Sequence, residues 1–190
     1  MAGKWSYEEL ERFAKKVHDI MEEARETGSY KKAFEDLYTD DAVYSWGLGP
    51  TLPDFVASGK DEIFRIALGA ELGGVDGWKY PWSGYWIDDE KGIVIYRWEM
   101  ISPWQYPDGS FYASDGAGYS IHYYAGNMQS RRQDDICETQ QLQYVHAEGI
   151  AGGFANETMV KKVEMRRQHE AVALEDWKLH LQEIYDEYHS

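Results

Sequence analysis

Hydrophobic and polar residues alternate along the chain with two different periods, which divide it into helical and extended regions. Ser6 and Glu9 have the spacing of a capping box, and apolar residues recur behind them at steps of three and four as far as Thr27. This pattern predicts a first helix. The same period predicts a second, short helix over about 30–37 and a third from near Ser58 to Gly73.

A period of two marks the extended regions. It predicts a first strand at about 42–46, followed by a loop rich in glycine and proline. Further strands are predicted, with turns between them, at about 78–87, 93–102, 110–113, 117–124 and 128–137. Helix resumes over about 138–147 and again over 156–188. Helices, then a meander of strands, then helices again predict an α+β fold.

Composition and charge narrow the class of protein. The chain has 190 residues, and its 19 Lys and Arg against 34 Asp and Glu give a net charge of −15. Nucleic acid and anionic membranes require a basic surface, so this balance argues against both as partners. The single cysteine, Cys137, allows neither an internal disulfide nor a thiolate metal cluster, which favours a cytoplasmic location. We see no signal peptide and no apolar run long enough to span a membrane.

Aromatic residues are unusually frequent, with 15 Tyr, 8 Trp and 6 Phe, and many fall between residues 78 and 104. Core packing and an oligomer interface explain some of them. In a bent sheet, alternating aromatics also produce a cavity with ring walls, suited to a flat apolar ligand. The residues that we predict to line such a cavity are Tyr44, Trp46, Tyr80, Trp82, Tyr96 and Trp98.

Three motifs carry a resemblance to a known superfamily. They are Tyr38-Thr39-Asp40-Asp41-Ala42-Val43-Tyr44, Ser58-Gly59-Lys60-Asp61-Glu62-Ile63, and Tyr124-Ala125-Gly126-Asn127 followed by Asp134-Asp135-Ile136-Cys137. In this order they resemble the nuclear-transport-factor-2-like superfamily, especially its SnoaL-like branch. The resemblance implies a cone-shaped α+β barrel, in which N-terminal helices close a strongly bent antiparallel sheet around a pocket. It covers a domain over 1–150, with 151–190 as a helical extension that packs on the same domain or on a neighbouring subunit.

The superfamily hosts many activities, so the resemblance is informative mainly about fold. It includes isomerases, dehydratases, epoxide hydrolases, cyclases, formaldehyde-releasing lyases and domains that only bind. Two departures argue against a ketosteroid isomerase: Trp46 stands where those enzymes place their base aspartate, and the tyrosine donor of the first helix is missing.

Candidate catalytic residues come from two predicted strands. His122 is the one histidine that we place in a strand, and its pKa near neutrality suits proton transfer. Arg97 and Glu99 share a face that is otherwise apolar, which indicates either an anion-binding pocket or a salt bridge on a solvated or subunit face. Tyr124 and Asp115 complete the set.

Charged residues near the last predicted strand form a weaker candidate. Alternation places Arg131 and Asp135 on one face and Arg132 and Asp134 on the other, so ordinary charge pairing explains much of the segment. The histidines show no metal-ligand spacing, and no cofactor motif is present. We therefore predict neither a metal nor a cofactor.

The function predicted from these residues is a cofactor-independent lyase or isomerase that acts on a small, largely apolar, phenolic substrate by acid–base chemistry. Resemblance to the lyases of lignin-derived diarylpropanes implies C–C cleavage with formaldehyde release. Arg97 would then stabilise a phenolate, His122 or Tyr124 would protonate the benzylic hydroxyl, and Glu99 or Asp115 would deprotonate the terminal alcohol.

Two alternatives remain open: a binding module without catalysis, and a dehydratase or epoxide hydrolase of the same fold. A binder can be lined wholly by apolar groups, whereas an acid–base enzyme needs convergent ionisable groups. An apolar seam on the last helix and the superfamily's common subunit contacts predict a homodimer or homotrimer. The residues of that seam are Leu174, Trp177, Leu181, Ile184 and Tyr188.

Overall fold

Helices and strands follow the predicted order except that one strand was not predicted and two predicted strands form a single one. The computed structural model describes residues 4–27, 30–47, 55–71, 75 and 77–168. The helices are α1 (Tyr7–Thr27), α2 (Tyr30–Ala33), α3 (Lys60–Glu62, continuing as a π-helix over Ile63–Glu71), α4 (Thr139–Ala151) and α5 (Glu157–Gln168). The strands are β1 (Tyr38–Trp46), β2 (Phe55–Ser58), β3 (Trp82–Asp88), β4 (Ile93–Gln105), β5 (Phe111–Gly126) and β6 (Gln129–Ile136).

Helix α1 confirms its predicted start and its buried stripe. The backbone N–H of Glu9 donates a 3.2 Å hydrogen bond to Oγ of Ser6, which satisfies one of the free amides of the first turn. The stripe of apolar residues is fully buried against the sheet and the short helices; it comprises Leu10, Phe13, Ala14, Val17 and Ala24. Burial of this stripe holds α1 in place, because most helical stability in proteins comes from such packing.

The six strands form one mixed sheet in the order β2-β1-β6-β5-β4-β3. Neighbouring strands are antiparallel except β1 and β6, which are parallel. The sheet therefore differs in one pairing from the antiparallel sheet implied by the resemblance. Register shifts interrupt four of the five pairings, and such irregularities bend a sheet. The result is the expected α+β architecture with a curved, unclosed sheet.

Two strands differ from the prediction for reasons that local pattern does not contain. Strand β2 lies where a loop and the start of a helix were expected; it is a short edge strand of four residues that pairs only with β1, the strand before it in the chain. Strand β5 runs unbroken through 114–116, where two strands were expected. The pairs Trp98↔Gly118 and Met100↔Ser114 show that a bulge absorbs the irregular segment without ending the strand.

Alternation along β4 gives the sheet two distinct faces. We call the inner face the side on which Val94, Tyr96, Trp98 and Met100 are buried, and the outer face the side that carries the half-buried residues between them. Helix α1 covers one part of the inner face. Another part lies under α4 and α5, where Val145 and Met159 join Trp78, Trp98, Met100 and Trp104 in a second core cluster.

The predicted apolar seam of the last helix lies outside the described residues. Within the described part, α5 is observed as far as Gln168. No helix among the described residues is both long and apolar enough to cross a membrane.

Candidate active site

A cavity of about 170 Å³ lies between the inner face of the sheet and the helices. An engineered apolar cavity of about 150 Å³ in another protein holds benzene, so this volume suits one ring or a compact bicyclic ligand. Its wall is mainly aromatic and aliphatic. The described residues lining it are Met21, Tyr30, Phe34, Tyr44, Trp46, Ala67, Leu68, Val75, Tyr80, Trp98, Met100, Ser120, Gln133, Asp135, Cys137, Leu142, His146, Met159, Lys162 and Val163.

Asp135 is the carboxylate of this cavity. The hydroxyl of Tyr44 donates a hydrogen bond to its Oδ2, and Nε2 of Gln133 donates one of 2.9 Å to its Oδ1. Ser120 also hydrogen-bonds to the carboxyl group. These three donors come from β1, β6 and β5, which are neighbours in the sheet. They fix the carboxyl group in one orientation at the cavity wall.

A second layer of hydrogen bonds holds these donors. The hydroxyl of Tyr38 donates a 2.6 Å hydrogen bond to Oε1 of Gln133, which leaves the amide nitrogen of Gln133 directed at Asp135. The indole N–H of Trp98 donates one of 2.9 Å to Oγ of Ser120. Such outer contacts keep a reacting group in place within a few tenths of an ångström.

The surroundings of Asp135 raise the pKa of its carboxyl group above that of an ordinary aspartate. Burial raises its pKa, and this effect exceeds the lowering by hydrogen bonds from Tyr44, Gln133 and Ser120. The side chain is only half-buried, but it faces a largely apolar cavity and is therefore poorly hydrated. A carboxylate with a raised pKa is a stronger base than that of an ordinary aspartate, so it is better suited to accept a proton from a substrate.

Asp134, its neighbour, lies on the outer face in a different environment. Nε of Arg132 contacts its Oδ1 at 2.8 Å, and the hydroxyl of Ser45 donates to the same oxygen at 2.6 Å. Burial would raise the pKa of Asp134, but the hydrogen bonds from Arg132 and Ser45 outweigh it and lower the pKa. Successive residues of a strand face opposite sides of the sheet. Asp134 therefore forms an ion pair with Arg132 on the outer face, whereas Asp135 faces the cavity.

Polar residues on α4 and α5 face the cavity from the helical side. His146 of α4 is 8% exposed, and its ring packs edge-on against Trp78 with the centroids 5.6 Å apart. Lys162 of α5 is 6% exposed. Asp135, His146 and Lys162 therefore bring three ionisable groups to one apolar cavity.

Four of the six residues predicted to contact a ligand line the cavity: Tyr44, Trp46, Tyr80 and Trp98. The rings of Tyr44 and Trp46 lie 5.2 Å apart, and those of Tyr80 and Trp98 lie 5.9 Å apart. The other two predicted residues are core neighbours instead. Trp82 packs on Tyr96, with ring centroids 4.1 Å apart, and Tyr96 is fully buried.

His122 faces the same side of the sheet as the cavity but lies under α1. Its ring packs edge-on against Phe13 and Tyr96, and Nδ1 is 3.3 Å from Oγ of Ser130. Burial lowers the pKa of His122 to about 3. At neutral pH it is therefore an uncharged core side chain, and it is not among the described residues that line the cavity, although it pairs with Gln133 in the sheet. This differs from the catalytic position predicted for it.

Tyr124 also packs under α1 rather than in the cavity. Its hydroxyl donates a 2.8 Å hydrogen bond to Oε1 of Glu9, and its ring lies 4.7 Å from that of Phe13 and 5.0 Å from that of Trp5. The residue fastens the N-terminal helix to the sheet.

Arg97 and Glu99 lie on the outer face, opposite the cavity. Their side chains are 35% and 45% exposed, and Nη1 of Arg97 is 3.5 Å from Oε1 of Glu99. The arginine also donates a hydrogen bond to Oγ of Ser83. The structure thus corresponds to the alternative of a salt bridge on a solvated face. Asp115 belongs to β5, and its side chain lies outside the described part of the structure.

Sequence reasoning underrated Asp135 because charge pairing explained its segment. Alternation correctly separated it from Asp134, but it also paired Asp135 with Arg131, which is exposed. A usable signal was present, because Gln133 and Asp135 are polar residues at alternate positions of β6 and so share one face of the sheet. The neighbouring strand β1 places the aromatic residues Tyr44 and Trp46 opposite them. His146 and Lys162 gave no signal, since His146 has no neighbouring polar motif and Lys162 is one of two adjacent lysines of the kind common on exposed helix faces.

The described residues contain no group of three or more His, Cys, Asp or Glu side chains arranged to hold a metal ion. The chemistry that this arrangement supports directly is proton transfer in an apolar, ring-walled space.

No protein-family model matches the sequence. No curated protein matches it. Solved structures do resemble it. A protein provisionally described as a SnoaL-like polyketide cyclase from Jannaschia sp. CCS1 has a TM-score of 0.57 at 8% identity, over 75% of this chain and 96% of that one. A phenazine biosynthesis-related protein from Pseudomonas aeruginosa has a TM-score of 0.56 at 14% identity, over 76% and 87%.

A third similar structure, provisionally described as an isomerase from Bacillus subtilis, has a TM-score of 0.55 at 16% identity, over 78% of this chain and 99% of that one. At these identities the likeness concerns fold. The chain has the α+β fold with a curved sheet that these proteins share.

Proposed function

We propose that the protein is a cofactor-independent enzyme of the isomerase or lyase type, in which Asp135 transfers a proton on a small, largely apolar aromatic substrate. The observation that carries this proposal is the carboxyl group of Asp135 in the wall of a ring-lined cavity, with a pKa raised by burial. Buried acids with shifted pKa values are typical of catalytic sites.

The proposed reaction begins with abstraction of a proton next to an electron-withdrawing group. Asp135 accepts the proton, and the carbon atom left with the electron pair is stabilised by conjugation through the substrate. The same carboxylic acid then returns the proton to another carbon, which is isomerisation, or to a departing oxygen. No electron leaves or enters the substrate, so no redox cofactor is required.

Tyr44, Gln133 and Ser120 position the carboxyl group through their hydrogen bonds. The three hydrogen bonds stabilise the ionised carboxylate of Asp135, so they offset part of the rise in pKa that burial causes. Trp46, Tyr80 and Trp98 offer faces and edges on which a planar substrate can stack. The substrate class follows from these walls and from the cavity volume.

Cleavage of a lignin-derived diarylpropane diol is a finer version of the proposal. Asp135 would take the proton of the terminal hydroxyl, the C–C bond would break to release formaldehyde, and the benzylic hydroxyl would leave as water after protonation. The products would be a diaryl alkene, formaldehyde and water. The sequence motifs favour this version, and it requires the cavity to be larger than its 170 Å³, since that volume suits only one of the two rings. The assignment of Arg97 and Glu99 to it is withdrawn, because they lie on the outer face.

A non-catalytic binding module is the competing proposal. Asp135, His146 and Lys162 argue against it, because three ionisable groups in an apolar cavity are costly for a site that only holds an apolar ligand. The names of the Jannaschia and Bacillus proteins, a cyclase and an isomerase, agree with chemistry that moves protons at carbon.

The test is proton exchange on an enolisable aromatic ketone that fits the cavity. The protein is incubated with 2-tetralone in D₂O, and loss of the α-proton signals is followed by NMR. We expect exchange well above the buffer rate, and at least 100-fold slower exchange in Asp135→Asn. Asp134→Asn is the matched control, and it should retain wild-type exchange because Asp134 faces outward.

Equal rates in the wild type and Asp135→Asn would refute the proposal. The finer version has its own readout: 1,2-bis(4-hydroxyphenyl)propane-1,3-diol should yield 4,4′-dihydroxystilbene and formaldehyde in equal amounts. Exchange of 2-tetralone without any formaldehyde from the diol would retain Asp135 as the proton carrier and reject the lyase version.

A further inference from the structure

Lys162 is a charged side chain in a place where the proposed proton transfer does not require one. It is 6% exposed, belongs to α5, and lines the same cavity as Asp135. A lysine is almost never buried to this degree without a specific reason, because removing an ammonium group from water is costly.

The helix holds Lys162 toward the cavity by its periodicity. Met159 and Val163, three residues before and one after, also line the cavity, and Met159 is 1% exposed. The backbone N–H of Met159 donates a 2.9 Å hydrogen bond to Oδ1 of Asn156, which caps the start of α5 and fixes the helix in place. The neighbouring Lys161 lies outside this face, where its Nζ is 3.7 Å from Oε1 of Glu157.

Charge in the cavity is therefore divided between the sheet and the helices. Among the described lining residues, Asp135 on β6 carries the one carboxyl group and Lys162 on α5 carries the one amino group. The chain as a whole has a net charge of −15, so an anionic ligand is repelled by the protein in general and is attracted only where a basic side chain such as Lys162 lies close to it. An ammonium group has three N–H donors, so a protein partner and a ligand oxygen can share it.

We infer that Lys162 binds an anionic oxygen of the substrate, so that the cavity takes a planar aromatic acid or phenolate rather than a neutral hydrocarbon. The charged end of the ligand lies against α5, and its ring stacks among the aromatic walls with its reactive carbon toward Asp135. This inference rests on the proposed function for the cavity as a substrate site, and it names the class of substrate.

The test compares two probes of nearly equal shape, 2-naphthoate and 2-naphthamide, by isothermal titration calorimetry at pH 7. We expect the wild type to bind 2-naphthoate at least tenfold more tightly than 2-naphthamide. Lys162→Met should remove that preference and leave 2-naphthamide binding within twofold. Lys161→Met is the matched control on the same helix, and it should leave both affinities within twofold.

Lys162→Gln is a second neutral variant, and the probe preference of the wild type decides the question even if neither variant folds. Equal affinity for the two probes, binding of neither probe, or a preference that survives in a folded Lys162 variant would overturn the inference. Failure of the proposed function is distinguishable, because Asp135→Asn should lose 2-tetralone exchange yet keep its preference for 2-naphthoate.

Discussion

The hydroxyl of Tyr44 donates a hydrogen bond to Oδ2 of Asp135, joining residues 91 positions apart in the sequence. The contact is possible because β1 and β6 are parallel neighbours, with Tyr44 opposite Gln133 and Trp46 opposite Asp135. The pairing thus brings an aromatic wall of the cavity and its carboxyl group together. The pKa of Asp135 therefore depends on Tyr44, which belongs to the first strand of the chain.

Tyr44→Phe removes that donor and should shift the pH dependence of exchange. The hydrogen bond from Tyr44 lowers the pKa of Asp135, so its loss should raise that pKa further. Because the carboxylate is the base, activity should then appear at a higher pH. We expect the acid limb of the 2-tetralone exchange profile to move upward by about one to two pH units, since a hydrogen bond to a charged group contributes about 1.5 to 3 kcal/mol.

Tyr123→Phe is the matched control for this change, because Tyr123 hydrogen-bonds to Asp134 on the outer face. Its profile should overlay that of the wild type. An unchanged acid limb in Tyr44→Phe, or an equal shift in Tyr123→Phe, would show that the contact does not set the protonation of the active carboxyl group.

Gly118→Ala should damage the cavity wall through Trp98. A Cβ atom at position 118 would lie 2.1 Å from Cη2 of Trp98, and the indole is anchored by its hydrogen bond to Ser120. The ring must move toward the cavity or distort the sheet. We expect the free energy of unfolding to fall by roughly 1 to 3 kcal/mol, as for other overpacked cores, and the affinity for 2-naphthamide to fall at the same time.

A double-mutant cycle with Trp98→Phe separates this clash from a general loss of stability. The smaller ring lacks the atoms that clash, so the double variant should be more stable than the sum of the two single effects predicts. Additivity within about 0.5 kcal/mol would mean that the glycine is not required by the indole.

His122→Asn should change how stability depends on pH on the acid side of neutrality. The folded protein holds the pKa of His122 at about 3, whereas an unfolded histidine has a pKa of about 6.5. Between these values the unfolded chain binds the extra proton, so stability is full above about pH 6.5 and decreases as the pH falls. Asparagine is uncharged and has nearly the shape needed to retain the contact with Ser130.

Denaturant unfolding at pH 7, 6, 5 and 4 measures this difference. Between about pH 6 and 4, the wild type should lose up to about 1.4 kcal/mol per pH unit more than His122→Asn. Parallel curves for the two proteins would mean that His122 is not an uncharged core side chain.

Local patterns predicted the fold well where burial follows sequence spacing. The apolar stripe of α1 and the alternation of β4 were both correct, since each depends on residues within one element. Strand β2 was missed because four residues next to a proline-rich loop become a strand only through pairing with β1. Tertiary pairing of this kind is not encoded in a local period.

The candidate site was predicted less well, and His122 shows why. Alternation placed it on a face shared with Ser120, and both residues do face inward. The position along the strand then decides the outcome: Ser120 meets the cavity, whereas His122 meets Phe13 of α1. Where a helix crosses a sheet depends on the whole packing arrangement, so the sequence predicted the face but not the surroundings.

Asp134 and Asp135 lie on opposite faces of the sheet, and their pKa values are shifted in opposite directions, lowered for Asp134 and raised for Asp135. Selective ¹³C labelling of aspartate and an NMR titration of the carboxyl carbons measure this directly, with Asp134→Asn and Asp135→Asn to assign the signals. We expect a midpoint for Asp135 above the usual value of about 3.9 and a midpoint for Asp134 below it. A midpoint for Asp135 at or below that of Asp134 would show that the cavity does not make this carboxyl group the weaker acid.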